Sequence, residues 1–223
     1  MMEEDKMQSY ITLENVCKKF KSEEVLKNVS VGFQKGNIYG IVGKNGSGKT
    51  LLFKTIVGFI RPTSGHVCVD QKEIGVDVDF VENVGLIIET PGFLSQYTAY
   101  KNLLYLADIR KKITGQQVID AINRVGLDAA NRKKVRNYSL GMRQRLAIAQ
   151  AIMEEPELIV LDEPMNGLDR EGIKLVKELL QELREKGKTI LLSSHYAEDV
   201  DICDMVYEME HGELREHKRN SIG

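Results

Sequence analysis

Ile38-Tyr39-Gly40-Ile41-Val42-Gly43-Lys44-Asn45-Gly46-Ser47-Gly48-Lys49-Thr50 is the stretch on which the fold turns. Its first five residues read as a buried strand. A glycine-rich turn follows, and helical character then runs over residues 51–59 until Arg61-Pro62-Thr63-Ser64-Gly65 breaks it. Residues 43–50 fit G-x4-G-K-[ST] directly between strand and helix. Glycines let backbone N–H groups wrap phosphate oxygens, and the helix N-terminus favours their charge. Lys49 can reach the β- and γ-phosphates, and the Thr50 hydroxyl can ligate Mg²⁺. Average residue usage produces this pattern by chance in roughly one chain of this length in a hundred. The strand before it and the helix after it identify a phosphate loop.

Working outward, Tyr10-Ile11-Thr12-Leu13 and Val29-Ser30-Val31-Gly32-Phe33 alternate as half-buried strands, and Val84-Gly85-Leu86-Ile87-Ile88 is an apolar strand candidate. Between residues 91 and 155 strand signals vanish. Leu103, Leu104, Leu106, Ala107 and Ile109 group at helical spacing, and Thr114-Gly115-Gln116-Gln117 has capping-box form. A third helix begins near Ser139 and carries Met142, Leu146, Ala149 and Met153 on one side. This stretch is expected to be an all-helical lobe inserted into one domain spanning residues 1–223, whose core is formed by residues 1–90 and 156–223. Strand character returns at Leu158-Ile159-Val160-Leu161 and Thr189-Ile190-Leu191-Leu192, separated by an amphipathic helix carrying Ile173, Val176, Leu179, Leu180 and Leu183. Short strands follow around Val206 and Leu214. Strands alternating with helices predict an α/β fold with a mainly parallel sheet, preceded by antiparallel strands.

Composition narrows the function. Of 223 residues, 31 are Lys or Arg and 33 Asp or Glu, a net charge of −2 that argues against non-specific nucleic-acid binding. The longest stretch without charge is the eleven residues 90–100, against about 20 for a spanning helix. Met1-Met2-Glu3-Glu4-Asp5-Lys6 lacks the pattern of a secretory leader. Cys17, Cys68 and Cys203 are scattered, so neither disulfides nor zinc are expected, and a reducing, cytoplasmic setting fits. Arg132-Lys133-Lys134-Val135-Arg136 is a solvated basic face, too short to make a nucleic-acid case.

The second chemical feature is Asp162-Glu163, emerging where the apolar run 158–161 ends. Parallel α/β sheets bind ligands at such strand ends. Asp162 suits Mg²⁺, and Glu163 can orient and deprotonate a water. Alone the pair would read as a solvated turn; beside a phosphate loop it reads as catalytic.

Asn137-Tyr138-Ser139-Leu140-Gly141-Met142-Arg143-Gln144-Arg145 ends 17 residues before Asp162 and resembles the signature motif of ABC-transporter ATPases. Met165-Asn166-Gly167-Leu168-Asp169 looks like their D-loop, and His195 after a buried strand looks like their switch histidine. The order of motifs matches that family over nearly the whole chain. The resemblance implies that Ser139, Leu140, Gly141, Met142, Arg143 and Gln144 complete the γ-phosphate pocket of an opposite subunit, so that two chains enclose two ATPs. Ser139 at a helix start is also an ordinary N-cap, and both roles are compatible. The resemblance also implies that His195 contacts the γ-phosphate and supports Glu163, and that Phe20 stacks on adenine; for Phe20 a plain core position is the alternative.

Two departures narrow the kinship. The family usually has glutamine where this chain has Glu89, and commonly has glycine and glutamine where it has Leu140 and Met142. Both features resemble the ATPases of bacitracin and lantibiotic self-protection exporters. Glu89 can ligate Mg²⁺ or hold the attacking water but cannot donate to a phosphate oxygen; the alternative is contact with the permease alone. The implied protein is a cytoplasmic subunit, peripheral on the inner face of the membrane. It binds MgATP, dimerises with itself or a related ATPase, and drives a separate permease. A soluble ABC-type ATPase of translation or DNA repair is the alternative, but the second cassette or long coiled-coil insert of those classes is missing. A nucleotide kinase would leave residues 139–144 and His195 without a role.

Overall fold

Leu158–Leu161 and Thr189–Ser194 are buried at every residue, because helices cover one face of their sheet and a second sheet covers the other. The computed structural model describes residues 9–89 and 92–217. The leader reading at the first eight residues and the Thr90–Pro91 junction of the lobe lie outside the described residues. In chain order the elements are β1 (Ile11–Phe20), β2 (Glu23–Phe33), β3 (Ile38–Val42), α1 (Lys49–Ile56), β4 (Ser64–Val69), β5 (Lys72–Glu73) and β6 (Val84–Ile87). They continue with α2 (Ala99–Arg110), α3 (Gly115–Arg124), α4 (Leu140–Ile152), β7 (Leu158–Leu161), α5 (Arg170–Glu185), β8 (Thr189–Ser194), β9 (Met205–Glu210) and β10 (Glu213–Glu216).

The main sheet has the order β10-β9-β3-β8-β7-β6, with β9, β3, β8, β7 and β6 parallel and β10 antiparallel to β9. Alternation along each strand divides its side chains between two cores. Ile38, Ile159, Leu161, Ile190 and Leu192 face the core built with α2 to α5. Tyr39, Ile41, Leu158, Val160 and Leu191 face a second core, where α1 contributes Leu52, Phe53 and Ile56 and the antiparallel sheet contributes Ile11, Leu13 and Phe33. Phe33, Tyr39 and Tyr207 interlock there, with Phe33 edge-on to Tyr39 at 4.8 Å between ring centroids. Burial raises the Tyr207 hydroxyl pKa to about 12.

The α/β class, the mainly parallel sheet and the helices between residues 92 and 155 are as the sequence predicts. Four details differ. The antiparallel sheet has four strands, β2-β1-β4-β5, rather than two. The break at residues 61–65 runs straight into β4, whose Val67 and Val69 pair with Leu13 and Ile11. The helix after the phosphate loop begins at Lys49 and stops at Ile56, where Val57 caps it, so residues 57–59 are not helical. In α2 the buried positions are Ala99, Asn102, Leu103 and Ala107, whereas Leu106 is 36% and Ile109 76% exposed. The α3 capping box between Thr114 and Gln117 is present, and the α4 and α5 stripes face the core.

Candidate active site

Four loops leave the same edge of the main sheet, because β3, β8, β7 and β6 are parallel neighbours and all four chains emerge at their C-terminal ends. These loops carry the phosphate loop, His195, Asp162-Glu163 and Glu89. Strand order thus gathers residues that are far apart in sequence.

In the 43–50 loop Gly48 has φ 115°, and a Cβ there would lie 3.3 Å from the Val25 carbonyl oxygen on the β1–β2 side. Only glycine meets both demands. Lys49 is 5% exposed, and its Nζ donates to the carbonyls of Gly43 at 2.5 Å and Lys44 at 3.3 Å. Its third neighbour is Glu163 Oε1 at 3.4 Å. That contact is an ion pair without a hydrogen bond, since Oε1 is buried and has no hydrogen-bond partner in the structure. The Ser47 hydroxyl is likewise buried and unpartnered. Orphaned buried polar atoms of this kind are uncommon in folded proteins. A cavity of about 280 Å³ faces them, lined by the loop from Asn45 to Leu51 with Val25 and Glu163. The Lys49 ammonium, the unpartnered Ser47 hydroxyl and a helix N-terminus suit a polyphosphate.

Asp162 is held by two hydroxyls: Thr50 donates to Oδ2 at 2.6 Å and Ser193 donates to Oδ1 at 2.6 Å. A hydroxyl and a carboxylate oxygen in contact are hard oxygen donors, the set that Mg²⁺ prefers. Ser193 is fully buried and also accepts from the Glu163 N–H at 2.9 Å. Glu163 has φ 52°, a left-handed conformation costing an L-residue of order 1–2 kcal/mol, so this bond fixes a backbone under strain. Its Oε2 faces His195 Nδ1 at 2.9 Å. An ionised carboxylate only accepts, so Nδ1 carries the proton of that bond. Ser194 donates to Asp199 at 2.6 Å and accepts from the Tyr196 N–H, bracing the turn that holds His195. Glu163 is thus oriented through Oε2, while Oε1 stays buried beside Lys49 with no hydrogen-bond partner.

Residues 139–144 lie at the start of α4. Ser139 is its N-cap, accepting from the Met142 N–H at 3.2 Å. Arg143 donates to the Tyr138 carbonyl, and Gln144 donates to the carbonyls of Glu163 and Pro164 at 3.2 and 3.1 Å. Both side chains therefore hold their own chain together. Leu140 is 64% exposed. A larger cavity of about 480 Å³ lies between this helix start, Glu89, Phe93 and the two carboxylates rather than at the phosphate loop. Phe20 is 47% exposed at the end of β1 with Lys18 Nζ 5.1 Å from its ring centre, so it is not a core phenylalanine. Glu89 pairs with Lys54 of α1. Ser193, Asp199 and Lys54 escape sequence reading. The only signal for Ser193 is a serine that continues an apolar strand.

The sequence profile described as ABC transporter matches residues 26–166. The chain is 45% identical to the uncharacterized ABC transporter ATP-binding protein YybJ of Bacillus subtilis, covering 90% of this chain and 92% of that one. It is 41% identical to the bacitracin transport ATP-binding protein BcrA of Enterococcus faecalis, over 96% of this chain and 73% of that one. Against the lantibiotic transport ATP-binding protein SrtF of Streptococcus pyogenes it is 32% identical, over 89% and 87%. Its fold superposes on the dimeric MJ0796 ABC transporter cassette with a TM-score of 0.85, at 24% identity, over 93% of this chain and 97% of that one. The family profile and these relatives agree: the chain is an ATP-binding, ATP-hydrolysing member of the ABC transporter family.

Proposed function

We propose that this chain binds MgATP, pairs around it with a second copy or a related ATPase, and drives a separate membrane permease that exports a peptide antibiotic. The observation that carries the enzymatic part is Glu163, held by His195 through one oxygen while the other is buried, unpartnered and 3.4 Å from the phosphate-loop lysine. The phosphates would lie on the backbone of residues 43–50 with Lys49 neutralising their charge, and Phe20, exposed at the end of β1, would stack on adenine. Thr50 and Asp162 would hold Mg²⁺, which supplies charge neutralisation at the transferred phosphoryl group. Glu163 Oε1 accepts a proton from the attacking water, and the His195 ring keeps the carboxylate turned toward it. The N–H groups of Leu140 and Gly141 at the start of α4 would close the site of the opposite protomer; Leu140 lies open to receive it. The residues form one domain, with 91–155 as the lobe that carries this helix. Among the described residues no helix is long and apolar enough to cross a membrane. The likeness to BcrA and SrtF supports antibiotic export, a cytoplasmic position and attachment to the membrane through the permease.

Glu163→Gln keeps shape and removes the base. It is expected to accumulate an ATP-bound dimer on size-exclusion chromatography while hydrolysis stops; undiminished hydrolysis without dimer removes Glu163 from this role. Mild detergent extraction separates the cellular roles. A polytopic membrane protein in the purified complex supports transport, and ribosomes or DNA in its place refute it.

A further inference from the structure

Two carboxylates leave neighbouring strands, and α1 holds both. β6 and β7 run parallel with Ile87 beside Leu161, and the Asp162 N–H donates to the Ile87 carbonyl at 2.7 Å. Asp162 follows β7 by one residue, and Glu89 follows β6 by two. On α1, Thr50 holds Asp162 and Lys54 holds Glu89 through a charge-assisted hydrogen bond. Residues 50 and 54 are one helical turn apart on one face, so a single rigid helix presents both contacts. Glu89 has φ 63°, a conformation that L-residues avoid, and its side chain is 66% exposed while that of Lys54 is 24% exposed. The carboxylate therefore has open space to move into, and its contact with Lys54 is what the structure offers to keep it in place. It also borders the cavity that contains Asp162 and Glu163.

A third carboxylate beside this pair is an electrostatic problem for a polyphosphate and an attraction for its cation. Lys54 answers both, by cancelling the charge and occupying an oxygen. We propose that Lys54 is a positioning residue for Glu89: it holds the carboxylate against α1 and away from the metal, so that the Lys54–Glu89 contact and metal loading compete. The proposal rests on the MgATP reading above. A glutamine at position 89 would form no such ion pair, so the device belongs to the glutamate.

The test is Mn²⁺ titration of the full chain with a non-hydrolysable ATP analogue, with free Mn²⁺ counted by electron paramagnetic resonance. Lys54→Met keeps the stem and removes the charge. It is expected to tighten Mn²⁺ binding by about 1.5- to 5-fold, the span of an exposed ion pair. Lys54→Arg keeps the cation and should stay near the parent. In a Glu89→Gln background, Lys54→Met should add almost nothing, because no carboxylate remains to be released. Metal-free binding of the analogue should be equal in all variants, which separates positioning from damage to the fold. The proposal is overturned if Lys54→Met has no effect, or if it shifts Mn²⁺ affinity equally in both backgrounds, since that would be plain charge removal. A parent chain that binds the analogue but takes up no Mn²⁺ also overturns it. A parent chain that binds no analogue overturns the nucleotide reading itself and the latch with it.

Discussion

Removing the Ser193 hydroxyl should cost far more than its size suggests. Ser193 is fully buried at the end of β8, where its oxygen donates to Asp162 and accepts from the Glu163 N–H. Ser193→Ala deletes a hydrogen bond to a charged acceptor, worth about 1.5–3 kcal/mol, and orphans an N–H whose burial costs about 1–3 kcal/mol. The two losses share one atom and do not add fully, so about 3 kcal/mol is expected. For a domain of this size that is a fall in Tm of roughly 6–12 °C. Glu163 also loses the tether on its left-handed backbone, so the carboxylate should drift from His195 and kcat should fall more than ATP affinity. Thermal melting by circular dichroism and steady-state hydrolysis are the assays. A Tm within 2 °C of the parent, roughly 0.5–1 kcal/mol by the same scaling, would refute the reasoning. So would an ATP affinity that falls as far as kcat.

Lys49→Ala should weaken nucleotide binding by the isolated chain, whereas Ser139→Ala should spare it and reduce ATP-driven dimerisation; equal losses of affinity, measured by fluorescent-nucleotide titration, would contradict a site shared between chains. Gly167→Ala places a Cβ 2.5 Å from Leu140 Cδ2 at a φ of 75°. The backbone alone should cost about 1–2 kcal/mol in urea unfolding with the clash on top, and adding Leu140→Ala should recover only the steric part. Glu157 is held below the ordinary carboxylate range first by its hydrogen bond to Lys188 and also by Lys35. A depressed folded-state pKa stabilises above the unfolded value and is lost as pH falls through the folded one. The stability gap between the parent and Glu157→Gln should therefore be at most about 1 kcal/mol at neutral pH, given the pair's exposure, and close in acid. A gap that persists in acid would show that packing, and not charge, is responsible.

The parts of the site that sequence reveals are those whose chemistry is compressed into a short span. The 43–50 loop needs glycines, a lysine and a threonine in fixed order, and Asp162-Glu163 needs only an apolar strand before it. β4 is hidden because Pro62 and Gly65 signal a break, although the register that buries Val67 and Val69 is set by β1 across the sheet. Ile109 follows the apolar period of α2, yet the helix turns that side chain outward, since periodicity names a face without saying how wide it is.

What sequence does not supply is who meets whom. Thr50 and Asp162 are 112 residues apart, Ser193 and Asp162 are 31 apart, and Lys54 and Glu89 are 35 apart. Each pair forms because the sheet places β3, β8, β7 and β6 side by side, an order that is not the order of the chain. Local spacing cannot encode that order. The same fact brings Glu89, which sequence offers as a metal ligand or as a permease contact, beside Lys54. A carboxylate at that strand end lies within reach of whatever α1 presents one turn beyond Thr50. In this fold that residue is Lys54, whose ammonium pairs with the Glu89 carboxylate.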